Sequence, residues 1–376
     1  KGKISNIEYV LNGGSFSDTD EVLYEYEEGT EYVFPIPSKE RFRFVGWADL
    51  FTEVPMTMIT KDQKGDVVIN ALWESIPQPI TYHTDGGILP ETAPYEYLEG
   101  AAGILATPKK EGYLFRGWYS DETFQTSVDS NLAKHQGPIE VYAKWQEFSM
   151  ANIKFGVFGD SISTYYEKGD KNSSLFGGDN QFYYPRYCPT VTSSSMCWWM
   201  KAINSLGSTL LVNNSYSGGT VQGTGMSAAV DSQRILKFTV ENPTTHAKES
   251  PDITFVMLGM NDAIGGNSKE TFKSAYRTML ERLQTYYPSM QLFLCLIPYE
   301  TYTDGKMRVI YNEAITELAE EFDLPIVDFT VCWDGTTEIK NNWYYLHDNI
   351  HPNELGMIEM GKVAAAAVRE YYHLDK

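Results

Sequence analysis

Four short blocks carry the residue types that ester hydrolysis needs: a hydroxyl nucleophile, a base for its proton, a group orienting that base, and donors for an oxyanion. They are Gly159-Asp160-Ser161, Ser217-Gly218-Gly219, Gly259-Met260-Asn261-Asp262 and His347-Asp348-Asn349-Ile350-His351-Pro352. Taken singly, each has a bland explanation. Gly, Asp and Ser dominate turns for reasons of backbone conformation and local hydrogen bonding. An Asn-Asp pair after a strand commonly caps a helix, and a lone histidine is more often structural than catalytic. Their order is informative because each follows an apolar run.

Ser161, at a strand-to-loop turn, can expose its hydroxyl and aim its own amide at developing negative charge. Gly218 permits close backbone approach, and the Asn261 side-chain amide adds a further donor. His351 precedes proline, which disfavours helical geometry and keeps Asp348 to His351 in a turn ahead of the last helix. Asp348 can then accept from one imidazole nitrogen while the other reaches Ser161. His347 competes as base, but position 344 is Tyr, so no carboxylate stands three residues before it.

The runs that would position these blocks are "IKFGVFG", "STLLVNN", "DITFVMLG", "QLFLCLIP" and "LPIVDF". They are too continuously apolar for strands with one wet face and predict a five-stranded parallel sheet covered by helices on both sides. Helices are expected near Met196 to Leu206, Lys269 to Leu283 and Val309 to Phe322. A last one, from about Pro352, places Leu355, Ile358, Ala365, Val368 and Tyr372 on one stripe. In a doubly wound sheet ligands bind beyond the carboxyl ends of the strands, which is where all four blocks would emerge.

These blocks, over about residues 152 to 374, resemble the SGNH or GDSL-type hydrolases, whose signature is a Gly-Asp-Ser, a Ser-Gly, a Gly-x-Asn-Asp and an Asp-x-x-His block. The resemblance implies a three-layer α/β/α, flavodoxin-like domain and a serine esterase. It further implies Ser161 as nucleophile, His351 as base and Asp348 as its partner, with the Ser161 amide, Gly218 and Asn261 as the oxyanion hole. The Gly-x-Ser-x-Gly motif of the α/β-hydrolases is absent around Ser161.

The first 147 residues contain a duplication. "YVLNGGSF" returns as "YHTDGGIL", "RFRFVGWADL" as "GYLFRGWYSD" and "VINALWE" as "VYAKWQE", 71 to 73 residues apart. Each copy alternates short polar and apolar runs bounded by Gly-Gly or Pro, which reads as a small sheet. Two Trp residues per copy are expected to fill a small core rather than bind a ligand. The Gly-Gly, Gly-Trp and closing Trp motifs resemble the internalin B-repeat family of bacterial surface proteins over about residues 4 to 147. That resemblance implies β-grasp-like domains, an extracellular or cell-surface setting, and spacing or attachment to cell-wall or surface components. The expected domains are 1–75, 76–148 and 149–376.

A net charge of -20 over 376 residues argues against nucleic acid or an anionic membrane as partner. No apolar run approaches the length of a membrane helix. The start, "KGKIS", has neither an initiating Met nor a signal-peptide pattern, so the chain is expected to be a mature or excised form with any targeting segment or anchor outside it. Cys188, Cys197, Cys295 and Cys332 form no CxxC or zinc spacing, and neither cofactor nor metal is expected. Whether Cys188 and Cys197 are joined stays open.

Aromatic residues crowd the loop after Ser161 (Tyr165, Tyr166, Phe176, Phe182, Tyr183, Tyr184) and precede the Asp/His block (Trp333, Trp343, Tyr344, Tyr345). They suit stacking on sugar rings or packing of the loops equally well. The expected substrate is an acylated glycan or another small ester. The alternatives are a lipase, lysophospholipase or thioesterase of the same chemistry, or a catalytically inactive surface adhesin.

Overall fold

The computed structural model describes residues 2–177, 181–241, 248–266, 268–298, 306–333, 347–348 and 350–374. The chain divides into two compact units, one of Lys1–Glu111 with Phe115–Trp145, the other of Gly112–Leu114 with Gln146–Lys376. No described helix is long and apolar enough to cross a membrane.

The duplication becomes two five-stranded sheets of the same spatial order. In the first, the order is Glu25–Glu27, Ile4–Val10, Val67–Ser75, Phe42–Asp49, Pro55–Met56; in the second, Glu96–Tyr97, Gln78–His83, Ile139–Glu147, Tyr113–Tyr119, Ser127–Val128. The first and last long strands of each copy pair in parallel, so the intervening chain must cross over.

Packing explains the repeated motif. The first glycine of each Gly-Gly is left-handed (Gly13 φ 84°, Gly86 φ 83°), a conformation that costs glycine nothing. At the second there is no room for a side chain: a Cβ on Gly14 or Gly87 would lie 2.4 Å from Cζ2 of Trp73 or Trp145. Those indoles donate to Leu11 O and Thr84 O, and the buried Trp47 and Trp118 donate to Pro35 O and Ala106 O. All four Trp residues thus satisfy their polar group within their own copy and serve as core, as expected.

The second unit contains the parallel sheet: β1 (Lys154–Gly159), β2 (Thr209–Ser215), β3 (Ile253–Met257), β4 (Gln291–Cys295) and β5 (Ile326–Val327), in the order β2-β1-β3-β4-β5. Every pairing is parallel. The order reverses between β1 and β3, the point where doubly wound sheets leave a crevice. Helices α1 (Trp198–Ser205) and α4 (Glu354–Tyr371) pack together, as do α2 (Lys269–Tyr286) and α3 (Lys306–Glu321). The unit is a three-layer α/β/α fold of the flavodoxin-like kind.

The expected stripe on α4 holds at Ala365 and Val368 but is displaced in the first turns. Leu355 is 37% exposed and Ile358 half-buried, whereas Met357, Met360, Gly361, Ala364, Ala365 and Val368 face the core. Gly361 sets this rotation, since a Cβ there would lie 2.6 Å from Lys201 Cβ and 3.0 Å from Trp198 O on α1. Close helix approach at small residues outweighs the apolar periodicity. The run "LPIVDF" yields only two residues of strand. All four cysteines are free thiols.

Candidate active site

β1 delivers Ser161. Its last residue, Gly159, has no space for a side chain, because a Cβ would sit 2.5 Å from Ser163 Cβ where the chain folds back. Asp160 then caps a 3-10 turn, Ser161–Ser163, its Oδ1 accepting from the Ile162 amide at 3.0 Å. Burial pushes the Asp160 carboxyl up to about 7, against the pull of the Ile162 amide and of Arg234. Arg234 is fully buried, and burial draws its guanidinium down to about 9. It donates to the carbonyls of Gly159, Asn214 (3.1 Å) and Ser227 (3.2 Å), tying the end of β1 to the end of β2.

The second and third blocks brace each other. Asn261 Nδ2 donates to Gly219 O at 2.8 Å, and the buried Asp262 carboxylate accepts from the amides of Val221 (2.9 Å) and Gln222 (3.3 Å). Gly259, at φ 120°, begins the short helix Met260–Ile264; a Cβ there would meet Ile297 Cδ1 at 2.9 Å. The third block therefore holds the Ser-Gly-Gly loop after β2 in place, and Asn261 keeps a second amide hydrogen beyond its bond to Gly219. Gly218 in that loop is exposed, with φ 74°.

The fourth block reaches the first across 190 residues. His351 Nε2 lies 2.8 Å from Ser161 Oγ, and Nδ1 lies 2.9 Å from Asp348 Oδ2. An ionised carboxylate only accepts, so the Nδ1 proton points at Asp348 and the Nε2 lone pair at the serine hydroxyl. Burial opposes the Asp348 charge, but hydrogen bonds from the His351 ring and amide and from Tyr183 outweigh it and hold the carboxyl below its usual range. His347 does not approach Ser161 in this way; its amide donates to His351 O at 2.7 Å. At the next helix, Asn353 caps α4 by accepting from the amides of Leu355 and Gly356.

The loop aromatics divide. Tyr165, Tyr184 and Trp333 are buried and pack the domain. Tyr166 with Phe182, and Phe176 with Tyr216, form half-buried ring pairs, each at 5.3 Å between centroids. Trp343, Tyr344 and Tyr345, like Asn349, lie outside the described residues. Tyr183 lies against the histidine itself, a placement that sequence reasoning missed along with Arg234 and Asp262. Two surface hollows of about 520 and 570 Å³, one beside Asn312 and one beside Gln222, include none of Ser161, Gly218, Asn261, Asp348 and His351.

Curated relatives include two proteins of Evansella cellulosilytica, one named a Gly-rich membrane protein and the other a membrane protein. Each is 30% identical, over 161 and 145 residues, or 42% and 38% of this chain but only 18% and 21% of the relative. The chain thus spans about a fifth of the length of those relatives. Similar solved structures include a member of the lipolytic protein G-D-S-L family from Veillonella parvula (17% identity, TM-score 0.39, covering 57% of this chain and 96% of that one). Another is the psychrotrophic esterase EstA from Pseudoalteromonas (14%, 0.40, covering 59% and 100%). The Listeria-Bacteroides repeat domain matches residues 6–68 and 79–144. The GDSL-like lipase/acylhydrolase family matches residues 157–357, more than half of the sequence and the stretch that contains all four blocks. By that match the chain belongs to the GDSL-like lipase/acylhydrolase family.

Proposed function

We propose that this protein is an extracellular or cell-surface esterase that removes short acyl groups, acetyl foremost, from a carbohydrate through Ser161, His351 and Asp348. The observation that carries the proposal is the continuous hydrogen-bonded relay from Ser161 Oγ through His351 to Asp348. His351 Nε2 takes the hydroxyl proton as Oγ adds to the ester carbonyl. The Ser161 and Gly218 amides and Asn261 Nδ2 donate to the resulting oxyanion. Collapse passes the proton from the imidazolium to the departing sugar hydroxyl and leaves acyl-Ser161. Water, deprotonated by the same histidine, then releases the carboxylate.

The half-buried ring pairs on the segments flanking Ser161 and Ser217 support a sugar leaving group. The two repeats, taken as domains 1–75 and 76–148 ahead of a catalytic domain 149–376, support a surface setting in which they space or attach the enzyme. The reading is tested by acetate release from acetylated polysaccharides beside turnover of short- and long-chain p-nitrophenyl esters. Preference for long acyl chains overturns the carbohydrate assignment. Removing the side-chain donor in Asn261→Ala is expected to lower kcat by about 10²- to 10³-fold with little change in KM, measured with p-nitrophenyl acetate. A loss under threefold removes Asn261 from the oxyanion hole.

A further inference from the structure

We propose that Tyr183 is a positioning residue for the relay: its hydroxyl locks the orientation of the Asp348 carboxylate, and its ring is a platform that favours the His351 imidazolium formed in each turnover. The inference rests on the Ser161–His351–Asp348 reading above.

The acid of such a relay must hold one orientation, yet 43% of the Asp348 side chain is exposed. Four donors restrain it. Oδ1 accepts from the amides of Ile350 (2.9 Å) and His351 (2.7 Å); Oδ2 accepts from His351 Nδ1 (2.9 Å) and from the Tyr183 hydroxyl (2.7 Å). Three of these come from the turn of Asp348 itself. Tyr183, 165 residues away, supplies the fourth from outside it.

The ring acts on the base. Tyr183 and His351 are stacked with centroids 3.6 Å apart and planes 8° from parallel. Two neutral rings do not prefer a face-to-face sandwich. A cation over a phenol face is attracted to it. The contact therefore strengthens as His351 takes the serine proton, the condition for an interaction to accelerate the step rather than merely bind.

Tyr183 is itself held to both halves of the site. Its amide donates to Thr164 Oγ1 at 2.7 Å, and that hydroxyl donates to Ser161 O at 2.9 Å. The adjacent Tyr184 hydroxyl donates to Pro352 O at 2.7 Å, just beyond His351. Among the described residues, the titratable groups around the imidazole and its platform include Asp348 and His347 from its own turn, Tyr183 and Tyr184 from the facing segment, and Tyr187 and Cys188 beside those tyrosines. Burial and the Asp348 carboxylate push the Tyr183 hydroxyl far above its ordinary range, so it stays protonated and remains a donor to Asp348.

The two contributions separate in the pH dependence of kcat/KM for an activated acetyl ester, measured on the full chain. Tyr183→Phe keeps the platform and deletes one donor to Asp348, so the imidazole feels more of the carboxylate charge. Its ascending limb should move up by roughly 0.3–1 pH unit, with kcat lowered about 3- to 10-fold. Tyr183→Leu also deletes the platform; its limb should fall below that of Tyr183→Phe, with kcat lowered about 100-fold. Phe removes a single oxygen and preserves the packing, so the hydroxyl half is tested whether or not Leu folds. A Tyr183→Phe limb and kcat indistinguishable from wild type overturn the proposal. Ser161→Ala distinguishes the two levels. If it abolishes turnover while both Tyr183 variants behave as wild type, only this inference fails; if it retains full turnover, the underlying catalytic reading fails.

Discussion

Ser161→Ala is expected to lower kcat for acetyl-ester hydrolysis by about 10⁴- to 10⁶-fold while leaving KM and the melting temperature nearly unchanged. The variant removes one atom, Oγ, whose partner is His351 Nε2 at 2.8 Å. The turn that carries it is held by other groups: Asp160 Oδ1 on the Ile162 amide and the Thr164 hydroxyl on Ser161 O. Loss of one neutral hydrogen bond at a site 8% exposed is worth about 1 kcal/mol, small beside the loss of the proposed nucleophile. Steady-state acetate release with a thermal melt of the same preparation gives both numbers. Activity within tenfold of wild type would mean that another group attacks the ester.

Much of this site can be read in the sequence, for a definite reason. A parallel strand buried on both faces writes itself as an unbroken apolar run, and the residue after the run falls at the ligand-binding end of the sheet. Ser161, Gly218 and Asn261 each follow such a run, and Asp348 and His351 interact locally, three residues apart. Tyr183 and Arg234 offer no such signal. Tyr183 sits in a loop with five other aromatic residues, and only the fold selects the one that lies over His351. Arg234 looks like any surface arginine in "DSQRILKF", yet it is fully buried with three backbone carbonyls as partners. Buried charge is rare enough that sequence pattern does not anticipate it. Asp262 is a middle case: the Asn-Asp pair is visible as a motif, but its grip on Val221 and Gln222 depends on where the loop after β2 returns. In the repeats the recurrence of Gly-Gly and Trp is plain, while its cause, an indole lying on the second glycine, is a matter of packing.

Asp348→Asn is expected to lower kcat by about 10³- to 10⁴-fold without unfolding the domain, and the hydrogen-bond geometry gives the cause. Asparagine can keep an oxygen where Oδ1 accepts from the amides of Ile350 and His351, so the turn survives. Its amide nitrogen then replaces Oδ2 and donates toward His351 Nδ1. The imidazole must answer with a lone pair there, which moves its proton to Nε2, facing Ser161 Oγ at 2.8 Å. A protonated Nε2 cannot take the serine proton. The Tyr183 hydroxyl, which donated to Oδ2, can no longer donate there and must turn to accept from the amide nitrogen. Stability should report the same exchange. The wild-type carboxyl is held below its usual range in the folded state, so its contribution is present above the ordinary carboxylate pKa and is lost as pH falls through the folded-state value. The difference in melting temperature between wild type and Asp348→Asn should therefore narrow as pH falls below about 4. Full kcat in the asparagine variant would show that the carboxylate does not set the tautomer of His351, and the relay would reduce to Ser161 and an imidazole oriented by its stacking on Tyr183 alone.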